Sequence, residues 1–436
     1  MDYKVFGCKT NKYFAEKWLV HPYLCDKYGY FIASCVVTDK AKAKWVKHAK
    51  KILPHLKDEE KLYLSGCGNI RDGIIDSQFY EIYHELSPFQ DRIEILPEDP
   101  DDFMITKEER KVMIESKIRS LKKLAGKELF TRKYMVIQTG CDNFCTFCLT
   151  VQARGRHKWR EKRELIDEIN DFVSRGGKEV VFTGINLGAW GAKSSNTYRD
   201  SRIVELITSV LDETALERLR ISSLGVEFCT DELIELFRNP RIIAYVHLSI
   251  QSGSTRILTS MNRHYDGIFL REVLSKFRSL KRDDGVQINI GADLIVGFPG
   301  ETDDDFDTTL SLIREYNITQ LHAFAFSAHV DHYSVPAGSF SDQVPNHIAQ
   351  KRLKLLLEAG RIAFDTFAKG NIGQRFQVLV EKTFKDIPCG FSGSTENYLS
   401  TTHENFMPDT GQTPKRGEIH HGIFLKTDES RVSSND

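Results

Sequence analysis

The chain has 436 residues, enough for about three domains, and its 60 Lys and Arg against 61 Asp and Glu leave a net charge of −1. The molecule as a whole is therefore no polycation, and any contact with a polyanion has to be local. With 41% hydrophobic and 28% charged residues, composition is that of a globular protein. No run approaches about 18 apolar residues, and Met1-Asp2-Tyr3-Lys4-Val5-Phe6-Gly7 lacks a signal-peptide core, which predicts a cytoplasmic protein without a membrane span. Nine cysteines in such a chain point to metal binding or catalysis rather than disulfides.

Three strand–loop–helix patterns open the chain. Residues 4–7 run into Cys8, residues 30–34 into Cys35, and residues 61–66 into Cys67. Alternating strands and helices predict an open parallel α/β sheet over residues 1–104. Each of the three cysteines then sits just past the carboxyl end of a strand, the edge where such sheets hold ligands. Gly7, Gly66 and Gly68 beside the thiols permit close backbone approach. Two readings stay open, a metal centre shared by the three thiols or three buried free cysteines. Cys25 lies in a helical stretch with no such placement.

Residues 105–133 read as a basic helical linker, with ten Lys or Arg against four Glu between Lys107 and Lys133. That is as compatible with a solvated helix face as with a face turned to RNA. An apolar strand over 134–138 follows, and then Cys141-Asp142-Asn143-Phe144-Cys145-Thr146-Phe147-Cys148, a C-x₃-C-x₂-C spacing. Thiolates are soft ligands, and three on one turn can converge on a metal. Structural zinc wants a fourth ligand, with His157 the nearest candidate, whereas a four-iron cluster on three cysteines keeps one iron open. Packing cysteines are the third possibility. The stretch 154–163 carries six basic residues against one Glu; Arg154, Arg156, Lys158, Trp159 and Arg160 are candidates for contact with phosphates and a base.

Beyond it, strands are predicted at 179–183, 218–222, 245–250, 287–296 and 320–326, with helices between them. With the strand before Cys141 this makes six βα units, a partial barrel over 134–369 that ends in a long helix. Its strand ends carry Thr183-Gly184, Ser222-Ser223, Gln251-Ser252-Gly253-Ser254, Asp293 and Gly297-Phe298-Pro299-Gly300-Glu301-Thr302; Thr302 also suits a helix cap. Residues 370–426 read as short strands of a small all-β barrel, and 427–436 as a disordered polar tail. Cys229 and Cys389 have no thiol neighbours in the pattern and read as structural.

The cysteine spacing with Phe147 before its last member resembles the signature of radical S-adenosylmethionine (SAM) enzymes. Gly-Cys-Lys-Thr-Asn near the start, Ser-Cys-Val-Val-Thr and Ser-Gly-Cys narrow the likeness to methylthiotransferases, and the motifs 183–191, 247–254, 261–265 and 297–302 follow in that family's order. The resemblance implies two [4Fe–4S] clusters, one on Cys141, Cys145 and Cys148 and a second on Cys8, Cys35 and Cys67. It implies SAM on the barrel rim at Thr183, Gly184, Ser222, Gln251 and Asp293, with Phe147 against the adenine. It implies a closing RNA-binding TRAM domain, which Gly-Ser-Thr-Glu-Asn-Tyr-Leu (393–399) fits. An electron donor such as flavodoxin or ferredoxin, and a sulfur donor, follow as partners. Val151, Gln152, Trp159 and His329 depart from the family pattern and bear on substrate contacts.

Thr-Gly-Ile-Asn-Leu-Gly (183–188) and Thr-Glu-Asn-Tyr-Leu (395–399) are similar to the branch that modifies N6-threonylcarbamoyladenosine in the tRNA anticodon stem-loop, at carbon 2 of the adenine. Other branches act on isopentenyladenosine or on an aspartate of a ribosomal protein. From a different class, a zinc-containing RNA-binding protein without catalysis remains compatible with the cysteines.

Overall fold

Four parallel strands, β1 (Asp2–Val5), β2 (Gly29–Ser34), β3 (Lys61–Gly66) and β4 (Ile93–Ile95), lie side by side in chain order in the computed structural model. The structure describes residues 1–25, 27–36, 38–102, 131–329, 334–384, 386–387 and 389–427. Most of the basic stretch 105–133 and nearly all of the tail 427–436 therefore lie outside the described residues. Helix α1 (Lys9–Leu19) follows β1, and α2 (Asp39–Ile52), capped by the Thr38 side chain on the Ala41 N–H, follows β2. β2 and β3 are covered on both faces, as parallel strands are: Phe31, Ile32, Leu62 and Leu64 are all fully buried. Cys8 caps α1, while Cys35 and Cys67 come one residue past β2 and β3, so parallel strands bring all three to one rim.

The six predicted barrel strands form: β5 (Lys133–Val136), β6 (Glu179–Thr183), β7 (Arg218–Ile221), β8 (Tyr245–Gln251), β9 (Asn289–Val296) and β10 (Gln320–Ala325). All pairings among them are parallel. The ladder breaks at Ser222, beyond which Ser223-Leu224 carries the third strand on into pairing with β8. Alternation along each strand assigns the faces. Met135, Val180, Phe182, Leu219 and Ile221 pack outward under α3 (Lys162–Ser174) and α4 (Ile203–Glu213). Tyr134, Val136 and Val181 face inward and are covered by Tyr13 and Phe14 of α1, so the first domain sits on the inner face of the barrel wall. Five helices complete the outer layer: α5 (Asp231–Leu236), α6 (Thr255–Ser260), α7 (Gly267–Ser279), α8 (Asp303–Glu315) and α9 (Asn346–Gly370). Thr302 and Asp305 form a reciprocal capping box on α8, the capping role expected of Thr302.

The last unit is an antiparallel sheet of β11 (Arg375–Phe384), β12 (Gly390–Thr395), β13 (Ser400–Thr402), β14 (Phe406–Pro408) and β15 (Ile419–Phe424), ordered 13-12-11-15-14. It is docked on the amino-terminal ends of the barrel strands. Arg132 joins Glu179 (2.6 Å) to Glu381 (2.8 Å), Asn289 donates to the Asn397 carbonyl (2.9 Å), and Tyr398 stacks on Tyr245 (centroids 4.7 Å apart). The 395–399 motif, read from sequence as part of an RNA-binding module, thus faces the barrel floor. Among the described residues no helix is long and apolar enough to cross a membrane.

Candidate active site

Gln138-Thr139 pairs antiparallel with Lys158-Trp159 and closes a loop over residues 140–157 that carries the central cysteines. Gly140 has φ +66, and a Cβ there would lie 1.9 Å from the Arg156 carbonyl, so the close approach requires glycine. On the far side Asn262 donates to the Asn143 and Phe144 carbonyls (2.9 and 3.3 Å). Thr146 binds the Met261 and Ser260 carbonyls at the end of α6 (3.2 and 2.8 Å). Phe144 and Asn262 both hold left-handed backbones (φ 49 and 59), strain that the clamp stabilises at a functional loop.

Each sulfur of this loop accepts a hydrogen bond. Cys141 Sγ takes the Asn143 N–H (3.5 Å) and the Ser195 hydroxyl (3.6 Å), Cys148 Sγ the Thr150 N–H (3.4 Å), and Cys145 Sγ the Arg263 guanidinium (3.4 Å). Such donors favour charge on sulfur. Burial nevertheless pushes the Cys141 thiol up to about 12 and raises Cys145, so both stay protonated until a metal supplies positive charge. Among the described residues the only trio of metal-ligating side chains with donor atoms within 4.8 Å is His247, Asp293 and His322. Tetrahedral zinc would need sulfurs about 3.8 Å apart. Both nitrogens of His157, the fourth zinc ligand considered above, are taken by Gln138 (2.8 Å) and the Ala192 carbonyl (3.2 Å). Three hydrogen-bonded thiols whose nearest candidate for a fourth ligand is already engaged fit an iron–sulfur centre better than mononuclear zinc. His157→Ala is therefore expected to leave the metal content of the purified protein unchanged, as checked by elemental analysis.

At the other triad, Cys35 and Cys67 are buried and Cys8 is exposed. The Cys67 thiol is drawn below its ordinary value, first by its hydrogen bond with Cys35 and then by the Arg154 charge. A Cβ on Gly7 would lie 2.8 Å from Cys35 Sγ, so this glycine brings backbone close to a thiol, whereas one on Gly68 would meet the Ser34 hydroxyl at 2.6 Å. Asn11 fixes the first two cysteine turns by donating to the Phe6 and Ser34 carbonyls (2.8 and 2.6 Å).

Arg154, expected at an RNA surface, is turned inward. It is 8% exposed, pairs with Glu98 (2.5 Å), bonds to Asn11 (3.1 Å) and stands beside Cys8 and Cys67. A residue six positions past Cys148 thus serves the first triad. Arg160 is paired with Glu168 (2.8 Å), and Trp159 is half-buried, edge-on to Trp190. Arg156 and Lys158 remain exposed, Arg156 lying over the Phe144 ring.

Thr183, Ser222 and Gln251 stand at the ends of β6, β7 and β8, with Gln251 in a left-handed conformation (φ 65), and a Cβ on Gly184 would meet Gln138 at 3.0 Å. Phe147 packs beside Met261 and Phe298, at the mouth of the 297–302 turn. Asp293 departs from the rim expectation. Three residues short of the end of β9, its carboxylate is held by His247 (3.0 Å), His322 (3.3 Å) and Ser249 (3.2 Å) in the barrel lumen. The sequence reading missed Asn11, Glu98, Asn262 and Arg263. The first and last two lie in motifs quoted above, but only contacts distant in sequence reveal what they do.

The radical SAM superfamily model matches residues 135–313. The threonylcarbamoyladenosine tRNA methylthiotransferase MtaB of Thermotoga maritima is 32% identical over 405 residues, covering 87% of this chain and 86% of that protein. The MtaB of Rickettsia prowazekii is 29% identical over 421 residues, covering 92% and 91%. A tRNA-2-methylthio-N(6)-dimethylallyladenosine synthase of Clostridium botulinum (strain Okra) is 33% identical over 265 residues, covering 61% of this chain and 57% of that protein.

Proposed function

The chain belongs to the radical SAM methylthiotransferase family represented by the Thermotoga maritima MtaB, and from that premise we propose that it inserts a methylthio group at carbon 2 of N6-threonylcarbamoyladenosine beside the anticodon of tRNA. The observation that carries this reading is the joining of the two cysteine triads through Arg154, which leaves the loop of one and reaches the thiols of the other. When bound, the iron–sulfur centres and SAM supply what no acid or base side chain can, homolysis of an aromatic C–H bond together with the sulfur and methyl to replace it.

The chain's own residues hold and orient. Cys141, Cys145 and Cys148 carry one centre, and Arg263 and Ser195 place hydrogen-bond donors on its sulfurs. Cys8, Cys35 and Cys67 carry the second, with Arg154 balancing its charge. Thr183, Gly184, Ser222 and Gln251 line the rim for SAM, with Phe147 against its adenine, and Arg156 and Lys158 present positive charge to the RNA backbone. A low-potential electron carrier such as flavodoxin or ferredoxin, a sulfur donor and a cytoplasmic setting complete the proposal.

Anaerobic iron and sulfide analysis should give about eight irons per chain, two clusters of four. One or two zincs with no iron would overturn the reading. Mass spectrometry of tRNA nucleosides from a deletion strain should show the methylthio derivative of threonylcarbamoyladenosine lost and its precursor accumulated.

A further inference from the structure

Below the rim, the barrel lumen holds two positive groups, Arg220 and Lys9, whose charge the protein's own anions meet only in part among the described residues. Arg220, on β7, is 3% exposed; its Nε meets Glu179 (3.1 Å), but among the described residues Nη1 and Nη2 have no hydrogen-bond partner. Glu179 is shared, with Arg132 (2.6 Å) and Arg218 (2.9 Å) against the same carboxylate. Tyr398 fixes the Arg220 plane from one side, its ring 4.5 Å from the guanidinium carbon. Lys9, in the first turn of α1, enters the same space. Its charged neighbours are Arg220, Asp293, Lys12 and Arg132, and it has no ion-pair partner within 4.0 Å among the described residues. The nearby carboxylate of Asp293 is already engaged by His247, His322 and Ser249. Buried donors without partners, such as Nη1 and Nη2 of Arg220, are costly, at about 1–3 kcal/mol each, and a ligand that binds there is one explanation.

We propose that Lys9 and Arg220 form a carboxylate site in the barrel lumen that holds the free carboxylate of the substrate's threonylcarbamoyl group. The inference rests on the substrate reading above and deepens it. A threonylcarbamoyl group ends in a carboxylate, whereas a dimethylallyl group is wholly apolar and offers nothing to the Lys9 ammonium or to the two open Nη donors of Arg220, so these two residues select between the nucleosides. The donor atoms of His247, Asp293 and His322 have a spacing that a divalent ion can bridge, but two adjacent cations give a field that favours an anion.

The test measures binding of four anticodon stem-loop RNAs, carrying adenosine, threonylcarbamoyladenosine, its carboxamide or dimethylallyladenosine. The holoenzyme should bind the threonylcarbamoyl RNA about 10–100-fold more tightly than the adenosine and carboxamide RNAs, the range of a charge-assisted pair. Lys9→Met, at a residue without an ion-pair partner among the described residues, and Arg220→Lys, which keeps the charge beside Glu179 but removes the forked donors, should each bring that ratio below about threefold. Thermal melting and cluster absorption report whether each variant is folded; Lys9→Met carries the test if Arg220→Lys is not. The site is overturned if folded variants keep the wild-type ratio, if carboxamide RNA binds like carboxylate RNA, or if both variants weaken all four RNAs equally, as a phosphate contact would. Products of the wild-type enzyme separate the two failures. Methylthiolation of threonylcarbamoyl RNA with unchanged variant ratios sinks the site alone. Methylthiolation of dimethylallyl RNA alone sinks the substrate reading and the site with it.

Discussion

Cys145→Ala and Cys35→Ala are expected to stop the reaction at different steps. Cys145 is the most enclosed sulfur of its loop, 8% exposed, and the one held by the Arg263 guanidinium (3.4 Å). Its loss leaves two thiols on a turn that needs three, and Arg263, its side chain 7% exposed, keeps only Glu227 (3.3 Å) as a charged partner among the described residues. Formation of 5′-deoxyadenosine from SAM should fall by at least about 1,000-fold, because no side chain replaces the electron transfer. Cys35 belongs to the first domain, behind Gly7 and hydrogen-bonded to Cys67, with no contact to the 141–148 loop among its described partners. Cys35→Ala should therefore keep SAM cleavage within about threefold of wild type while forming no methylthio product. Chromatography of 5′-deoxyadenosine beside mass spectrometry of the RNA product checks both. A Cys35→Ala protein that still thiolates would remove the second centre from the reaction.

The contrast also marks what was readable from residues alone. β6 begins and ends at the predicted residues, and the three amino-terminal cysteines stand at strand ends as the βα spacing requires, because strand periodicity and chain order carry that information locally. Arg154 was misplaced for the opposite reason. A basic run looks like a surface, and what turns this arginine inward is Glu98, 56 residues earlier, whose own burial is a tertiary fact. Asp293 reads as a rim residue from its place near a strand end, yet its neighbours His247 and His322 come from the two flanking strands. The 395–399 motif is similar in kind: its Tyr398 finds Arg220 and Tyr245 on the barrel, partners that no local pattern announces.

Arg154→Met should be the most disruptive single change outside the cysteines. Arg154 and Glu98 form a buried pair at 2.5 Å with side chains 4% and 9% exposed, and the pair joins the first domain to the barrel. Removing one member of such a pair costs about 3–5 kcal/mol, mostly for the charge left behind. Burial already lifts the Glu98 carboxyl to about 7, against the pull of Arg154 and with help from Cys67 and Asp99. A folded-state value above the unfolded one means that stability falls as pH rises from about 4.5 toward 7. Without Arg154 that window extends upward, so the melting-temperature deficit of Arg154→Met should be larger at pH 8 than at pH 6. Adding Glu98→Gln removes the buried charge and should recover all but about 1 kcal/mol, since replacing both members of a buried pair is often nearly neutral. Stability and function should then part company. The double variant regains its melting temperature but not methylthio transfer, because Cys8 and Cys67 still lack the adjacent guanidinium. Thiolation restored together with stability would reduce Arg154 to a structural strut between domains.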